Sequence, residues 1–319
     1  MTLAMARSQP SESDLRVISL IASATEILHA LGAGATQVAR SHECDYPVSV
    51  LELPQLTRAK FRVQGATSAE IDRSVKGLIE QGLAVYEVDA DRMRELSPNL
   101  ILTQDQCEVC AVSLADVERA LCTWTDSAAQ IVSLRPHTMD DVYADIHRIA
   151  REIGRPEAGF TLANEMQERI AAITRAVAGR PRPVLGFIEW IEPPMSGGHW
   201  MPELIAAAGG TSPFGVKGEN SPWITWDEVA AADPDVILVA PCGYEIKTSL
   251  PELQALRDHP IWSRLRAVRE DRVFVADGNA FFNRPGPRLV ESAEILAEIL
   301  HPDVCAYEHQ GKAFVPLSG

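Results

Sequence analysis

The sequence predicts an α/β protein made of two similarly built lobes joined by a single long helical linker, and three features carry that reading. Short apolar runs alternate with amphipathic helical stretches through both halves, the pattern of an open, largely parallel sheet covered on both faces. That alternation stops between about Met139 and Ala178, where "MDDVYADIHRIAREI" and "EAGFTLANEMQERIAAITRAVAG" read as amphipathic helices separated only by "GRP". The helix-end, proline, strand device recurs once per half, as "LSPNLILT" and "ADPDVILVA". With 319 residues, each lobe has enough chain to bury its own core. The expected organisation is an N-terminal lobe over 15–137, a helical linker over 138–180, a C-terminal lobe over 181–302 and a tail over 303–319.

Taken in order, "RVISL" (16–20) is a buried strand, and the helix "SATEILHALGAG" follows with Ser23 as N-cap and Glu26 three residues later. "QVARSHECDYP" is a strand running into a loop. A helix over about 68–81 places Ile71, Val75, Leu78 and Ile79 on one face, and a strand follows near 84–88. A short helix stops before Pro98, "LILT" is the next strand, a helix is expected over 113–121, and "QIVSL" (130–134) closes the first half. After the linker, "RPRP" breaks the helix and "VLGFIEW" starts a strand. "MPELIAAAGG", "WDEVAAADPDVILVA", "LPELQALRDHPIWSRL", "RVFVAD" and a last helix from Pro287 to Leu300 complete the second half. Pro287 is expected at the first helical position, with Arg284 and Arg288 beside that helix start as a place for an anion.

Composition narrows the functional classes. The chain is 46% hydrophobic and 23% charged, and it holds no apolar run of the roughly 18–20 residues a membrane helix needs. A formal charge of −15 with no basic cluster argues against nucleic acid and anionic membrane surfaces as partners. The first 20 residues contain no apolar core of a secretory signal, and the six cysteines are spaced unlike a disulfide scaffold, so the expected address is cytoplasmic.

The strings "RVISLIASATEILHALGAG", "SPNLILT", the helical connector, "WDEVAAADPDVILVA" and "DGNAFFNRPGPRL", in that order from Arg16 to Pro302, resemble the substrate-binding proteins of ABC importers for cobalamin and iron-siderophore chelates. "HECDYP", "TQDQCEVCAV", "IEWIEPPMSGGHWMPELIAAAGG" and "NRPGPRL" are similar to a cobalamin-binding-like branch of that family. The resemblance implies two Rossmann-like α/β lobes on one helical linker, a ligand cleft between them, a cobalamin or other corrinoid as ligand, and an ABC transporter permease as partner. Members of the family dock through one acidic side chain per lobe. Here Asp91 takes the first position, while the second falls on Ala206, with Glu203 one turn earlier.

In open α/β sheets ligands sit outside the carboxyl ends of the strands, so the loops leaving the strands are the candidate site. They supply His42, Cys44, Tyr46, Gln104, Gln106, Glu189, Trp190, His199, Trp200, Tyr244, Asn279, Phe281, Phe282 and Arg284. Trp190, Trp200, Phe281 and Phe282 are expected to stack on a planar macrocycle, with Gln104, Gln106, Glu189 and Asn279 at its polar rim. His42 and His199 are candidate axial ligands of a chelated metal. A second reading makes His42, Cys44, Cys107 and Cys110 a zinc or iron site or a redox-active dithiol centre, and a third leaves the thiols as small buried side chains. No G-x-S-x-G, H-E-x-x-H, P-loop or G-x-G-x-x-G occurs, and the expected role is binding without catalysis.

Overall fold

A computed structural model describes residues 14–81, 84–105 and 129–317. In chain order its elements are β1 (Val17–Ser19), α1 (Ala22–Ala30), β2 (Gln37–Arg40), β3 (Thr57–Ala59), α2 (Ser68–Glu80), β4 (Tyr86–Val88), α3 (Ala90–Glu95), β5 (Leu100–Gln104) and β6 (Gln130–Leu134). Helices α4 (Met139–Glu152) and α5 (Pro156–Ala176) follow. Then come β7 (Leu185–Trp190), β8 (Met195–Ser196), α6 (Met201–Ala207), α7 (Trp226–Ala232), β9 (Val236–Val239), α8 (Ile246–Leu256), α9 (Arg266–Arg269), β10 (Val273–Ala276), α10 (Leu289–Leu300) and β11 (Phe314–Pro316). The chain divides into two compact units. One comprises Met1–Lys60, Gly82–Arg135 and Tyr143–Ala163; the other comprises Phe61–Gln81, Pro136–Val142 and Asn164–Gly319.

In the first unit four parallel strands lie in the order β2-β1-β5-β6, with Ile18 beside Ile101 and Leu102 beside Val132. Val17, Ile18, Ile101 and Leu102 are buried, as strands covered on both faces require. Strands β3 and β4 form a separate antiparallel pair. Helix α1 starts at Ala22, so Ser23 lies inside it, buried, and its hydroxyl has no hydrogen-bond partner. The capping box expected at Ser23 and Glu26 is therefore absent: the first turn faces the sheet, and Thr25 places its hydroxyl 2.8 Å from the Ser19 hydroxyl. Gly32, at φ +73°, ends the helix in the left-handed region that glycine occupies without strain.

The connector consists of two helices turned at Gly154, which has φ +74°. Gly159 of α5 lies so close to Ala150 of α4 that a β-carbon there would collide with the alanine methyl. In the second unit the order is β11-β10-β9-β7-β8, with β7, β9 and β10 parallel and the two edge strands antiparallel. The hairpin strand β8 and the edge strand β11 carry no clear signal in the sequence. β11 lies in the segment expected to be a tail, which is fastened by the His309 N–H donating to Glu298 (3.0 Å) and by burial of Phe314.

Capping boxes start α2 (Thr67 with Glu70) and α7 (Thr225 with Glu228). On α2, Ile71 and Val75 are buried but Ile79 is exposed, so the apolar face is narrower than the periodicity suggests. Helix α10 begins at Leu289 with Arg288 as N-cap, which leaves Pro287 outside the helix instead of at its first position.

Two stability outcomes follow. Replacing Thr67 with Ala removes one half of the α2 capping box and should cost about 1 kcal/mol in urea unfolding. Gly278 and Gly243 both lie in loops leaving strands of the second unit, yet they should respond differently to alanine. A β-carbon on Gly278 would overlap the carbonyl oxygen of Pro241, a backbone atom with little room to yield. Gly243 meets nothing within 4 Å but has φ +76°. Gly278→Ala should lower Tm by roughly 5–10 °C and Gly243→Ala by about half that or less, read by thermal melting.

Candidate functional site

In the first unit, β2 delivers "HECDYP". The His42 backbone N–H donates to the Thr57 hydroxyl (2.9 Å), and Nδ1 lies 2.7 Å from the same oxygen. Its ring centre is 5.2 Å from that of Tyr86. Burial, aided by the Arg40 guanidinium, pushes the His42 pKa down, which favours the neutral imidazole. Cys44 is 0% exposed, and its sulfur is surrounded by the hydroxyls of Thr25 (3.0 Å) and Ser41 (3.3 Å) and the Ser19 carbonyl (3.7 Å). Burial raises its pKa, so it stays a thiol. That environment is at odds with Cys44 as an accessible ligand or a metal-binding thiolate. Tyr46 is 48% exposed ahead of a cis bond to Pro47, and Gln104 is buried at the end of β5.

Gln106, Cys107 and Cys110 lie outside the described residues, as does the helix expected over 113–121. Among the described residues no group of three His, Cys, Asp or Glu side chains is disposed to hold a metal ion.

The second unit collects most of the remaining candidates at the carboxyl ends of β7, β9 and β10. Trp190 and Tyr244 meet edge to face with ring centres 5.5 Å apart. Glu189, adjacent to Trp190 in the strand, accepts a hydrogen bond from the Ser221 hydroxyl (2.9 Å). After β10 the Asp277 carboxylate accepts the N–H groups of Asn279 (3.0 Å) and Ala280 (2.8 Å) and shapes the turn. Arg284 then donates to the Asn279 side-chain oxygen (2.8 Å), and the Arg288 guanidinium lies 5.6 Å from the Phe281 ring centre. Trp190, Phe281, Asn279 and Arg284 are half-buried side chains, so they have surface to offer a ligand.

Two of the expected stacking residues serve another purpose. Phe282 is 0% exposed against Phe187, and Trp200 is buried with its indole N–H donating to the Phe282 carbonyl (2.8 Å). They join two loops to the core and do not present a face to a macrocycle. His199 stacks on Trp200 at 5.6 Å and stands 5.3 Å from the ring of His137.

Several residues of this region have no signature in the sequence. The Tyr244 hydroxyl donates to the Ala66 carbonyl (3.4 Å), the Ser68 N–H donates to Glu252 (2.9 Å), and the Ser68 hydroxyl donates to the same carboxylate. Segment 61–81 thus seats on α8 across 184 positions of sequence, a separation no local pattern reveals. Burial and the nearby Glu252 hold the Tyr244 pKa well above its ordinary value, so its hydroxyl remains a donor. Of the docking acids, Asp91 is exposed and 3.8 Å from Arg94. Glu203 is engaged by Lys217 (2.6 Å) and by the Met139 N–H (3.0 Å), which leaves it poorly placed to greet a partner's arginine.

The chain is 23% identical over 310 residues to a vitamin B12-binding protein of Vibrio cholerae, covering 95% of this chain and 91% of that one. It is 24% identical over 291 residues to a vitamin B12-binding protein of Photorhabdus laumondii, covering 90% and 88%. Among solved structures, the periplasmic vitamin B12 binding protein of Vibrio cholerae superposes with a TM-score of 0.62 at 22% identity, covering 89% of this chain and 96% of that one. A periplasmic heme binding protein of Pseudomonas aeruginosa superposes with a TM-score of 0.68 at 16% identity, covering 91% and 93%. These likenesses agree with the two-lobed α/β architecture and with a binding role in place of catalysis. Together with a family profile that matches residues 17–280, they establish that the chain belongs to the periplasmic binding protein family.

Proposed function

We propose that this protein binds a corrinoid, a cobalamin-like metal chelate, against the strand-end loops of its second α/β unit and releases it unchanged. The supporting observation is the edge-to-face pair Trp190 and Tyr244, flanked by Glu189, Asn279 and Arg284. An aromatic wall suits the apolar face of a macrocycle, and carboxylate, amide and guanidinium groups suit its amide rim. The names of the vitamin B12-binding relatives, matched over nine-tenths or more of this chain, point to the same ligand class. A haem is the competing chelate, because haem-binding proteins share the fold.

The alternative of a redox or metal centre on His42, Cys44, Cys107 and Cys110 gains no support from Cys44, a buried thiol held by neutral oxygens. An ABC permease is the expected partner under the corrinoid reading, with Asp91 as the exposed acid available to it. Cell fractionation with antibody detection tests the cytoplasmic address.

Titration of the purified chain with cyanocobalamin, followed by the visible spectrum and by thermal shift, should give saturable binding and a raised Tm. Haemin run in parallel should bind more weakly. Absence of saturable binding by cobalamin and cobinamide, or preference for haemin, would falsify the corrinoid reading. Trp190→Ala should weaken cobalamin binding about tenfold, the loss of about 1.4 kcal/mol of ring contact, with little change in Tm of the unliganded protein.

A further inference from the structure

We infer that His137 and His199 together form a binding site for a divalent transition-metal ion of the nickel or zinc class, taken from water or from an open chelate with two adjacent free positions. Both imidazoles lie in the second unit, His137 just before α4 and His199 just before α6. In each ring Nδ1 is buried and has no hydrogen-bond partner. A buried ring nitrogen left unpaired is costly unless something binds it, and here two neighbouring rings each carry one.

Their spacing fits one ion. A metal–imidazole bond of 2.0–2.1 Å puts the metal about 3.2 Å from each ring centre, so two rings at a tetrahedral angle would have centres about 5.2 Å apart. The observed separation is 5.3 Å, with the ring planes inclined at 48°. The His199 ring is also pre-set. Its backbone, at φ +49°, is pinned by its N–H donating to the Glu219 carbonyl (2.7 Å) and by the Gly218 N–H donating to its own carbonyl (3.0 Å). A non-glycine residue in that region persists only where its surroundings impose it, commonly at binding sites. Trp200 supports the ring from one side.

The electrostatic setting favours a cation. Asp140, Asp141 and Glu203 stand around the Lys217 ammonium. Asp141 is occupied by the backbone N–H groups of His137 (3.0 Å) and Thr138 (2.9 Å), and Glu203 by Lys217, so they act through space and do not ligate. Among the described residues no third side chain completes a protein-only set, so the other coordination positions belong to water or to a chelating molecule.

This site is independent of the corrinoid reading. A corrinoid or haem leaves its metal only two positions, on opposite faces of the ring, and two adjacent imidazoles cannot occupy both. The test uses the full untagged chain, titrated calorimetrically with nickel chloride, with zinc chloride, and with nickel nitrilotriacetate, whose complex leaves two adjacent positions. One site per chain is expected for the bare ions. Binding of the nitrilotriacetate complex as well identifies an open chelate as an acceptable source; its exclusion identifies the aquated ion. His137→Ala and His199→Asn should each weaken nickel binding about tenfold or more, while His147→Ala, in the first unit, should not. Melting curves check that each variant is folded, and should His199→Asn fail that check, His137→Ala alone decides. Nickel affinity unchanged in folded His137→Ala, or no stoichiometric binding by the wild-type chain, overturns the inference.

Discussion

The carboxyl ends of three buried parallel strands control where the candidate binding residues of the second unit can be. Leu185, Phe187 and Ile188, the whole of Val236–Val239, and Val273, Val275 and Ala276 are buried, and their backbone groups are spent on the ladder between neighbours. Chain leaving such strands cannot stay in the sheet and must emerge along one edge. Glu189 and Trp190, the loop to Tyr244, and the turn from Asp277 to Arg284 are therefore brought together although nearly 100 residues separate the first from the last. The loops are then locked to each other: the Asn283 side chain donates to the Ala240 carbonyl (3.1 Å), and Trp200 donates to the Phe282 carbonyl (2.8 Å).

This locking divides the aromatic and sulfur-bearing residues into two kinds. Trp200, Phe282 and Cys44 have the atoms to bind a chelate or a metal, but each uses its reactive or polarisable surface inside the protein. Trp190, Phe281 and His199 keep part of their surface outside the core. A stacking or ligating role needs exposed area as well as suitable chemistry, and burial removes that area without changing the residue type. The same reasoning separates the two acids expected to meet a partner, Asp91 at an aligned position and Glu203 one turn from one, since Glu203 is paired with Lys217 while Asp91 is not comparably enclosed.

Much of the architecture is legible from periodicity. Strands β1, β5, β6, β7, β9 and β10 fall where apolar runs place them, and α4 and α5 where amphipathic spacing places them. The elements that escape are short and depend on distant partners. β3 has three residues and owes its existence to β4, β8 is a two-residue hairpin arm, and β11 is held by β10 and by the Glu298 contact to His309. The start of α1 escapes for a related reason: serine and glutamate at capping spacing are equally compatible with a first turn packed against a sheet, and only the position of Ser19 decides between them.

The α/β class, the helical connector, the strand-end loops that hold the candidate residues, and the family are all readable from the sequence, because these depend on hydrophobic period and on strings of adjacent residues. Tertiary structure alone decided that Cys44, Trp200 and Phe282 are interior, that segment 61–81 rests on α8 through Ser68 and Glu252, and that His137 stands beside His199. Those outcomes arise from packing between residues far apart in the chain, where free energy depends on which surfaces meet and which polar atoms find partners, and no local pattern encodes that pairing.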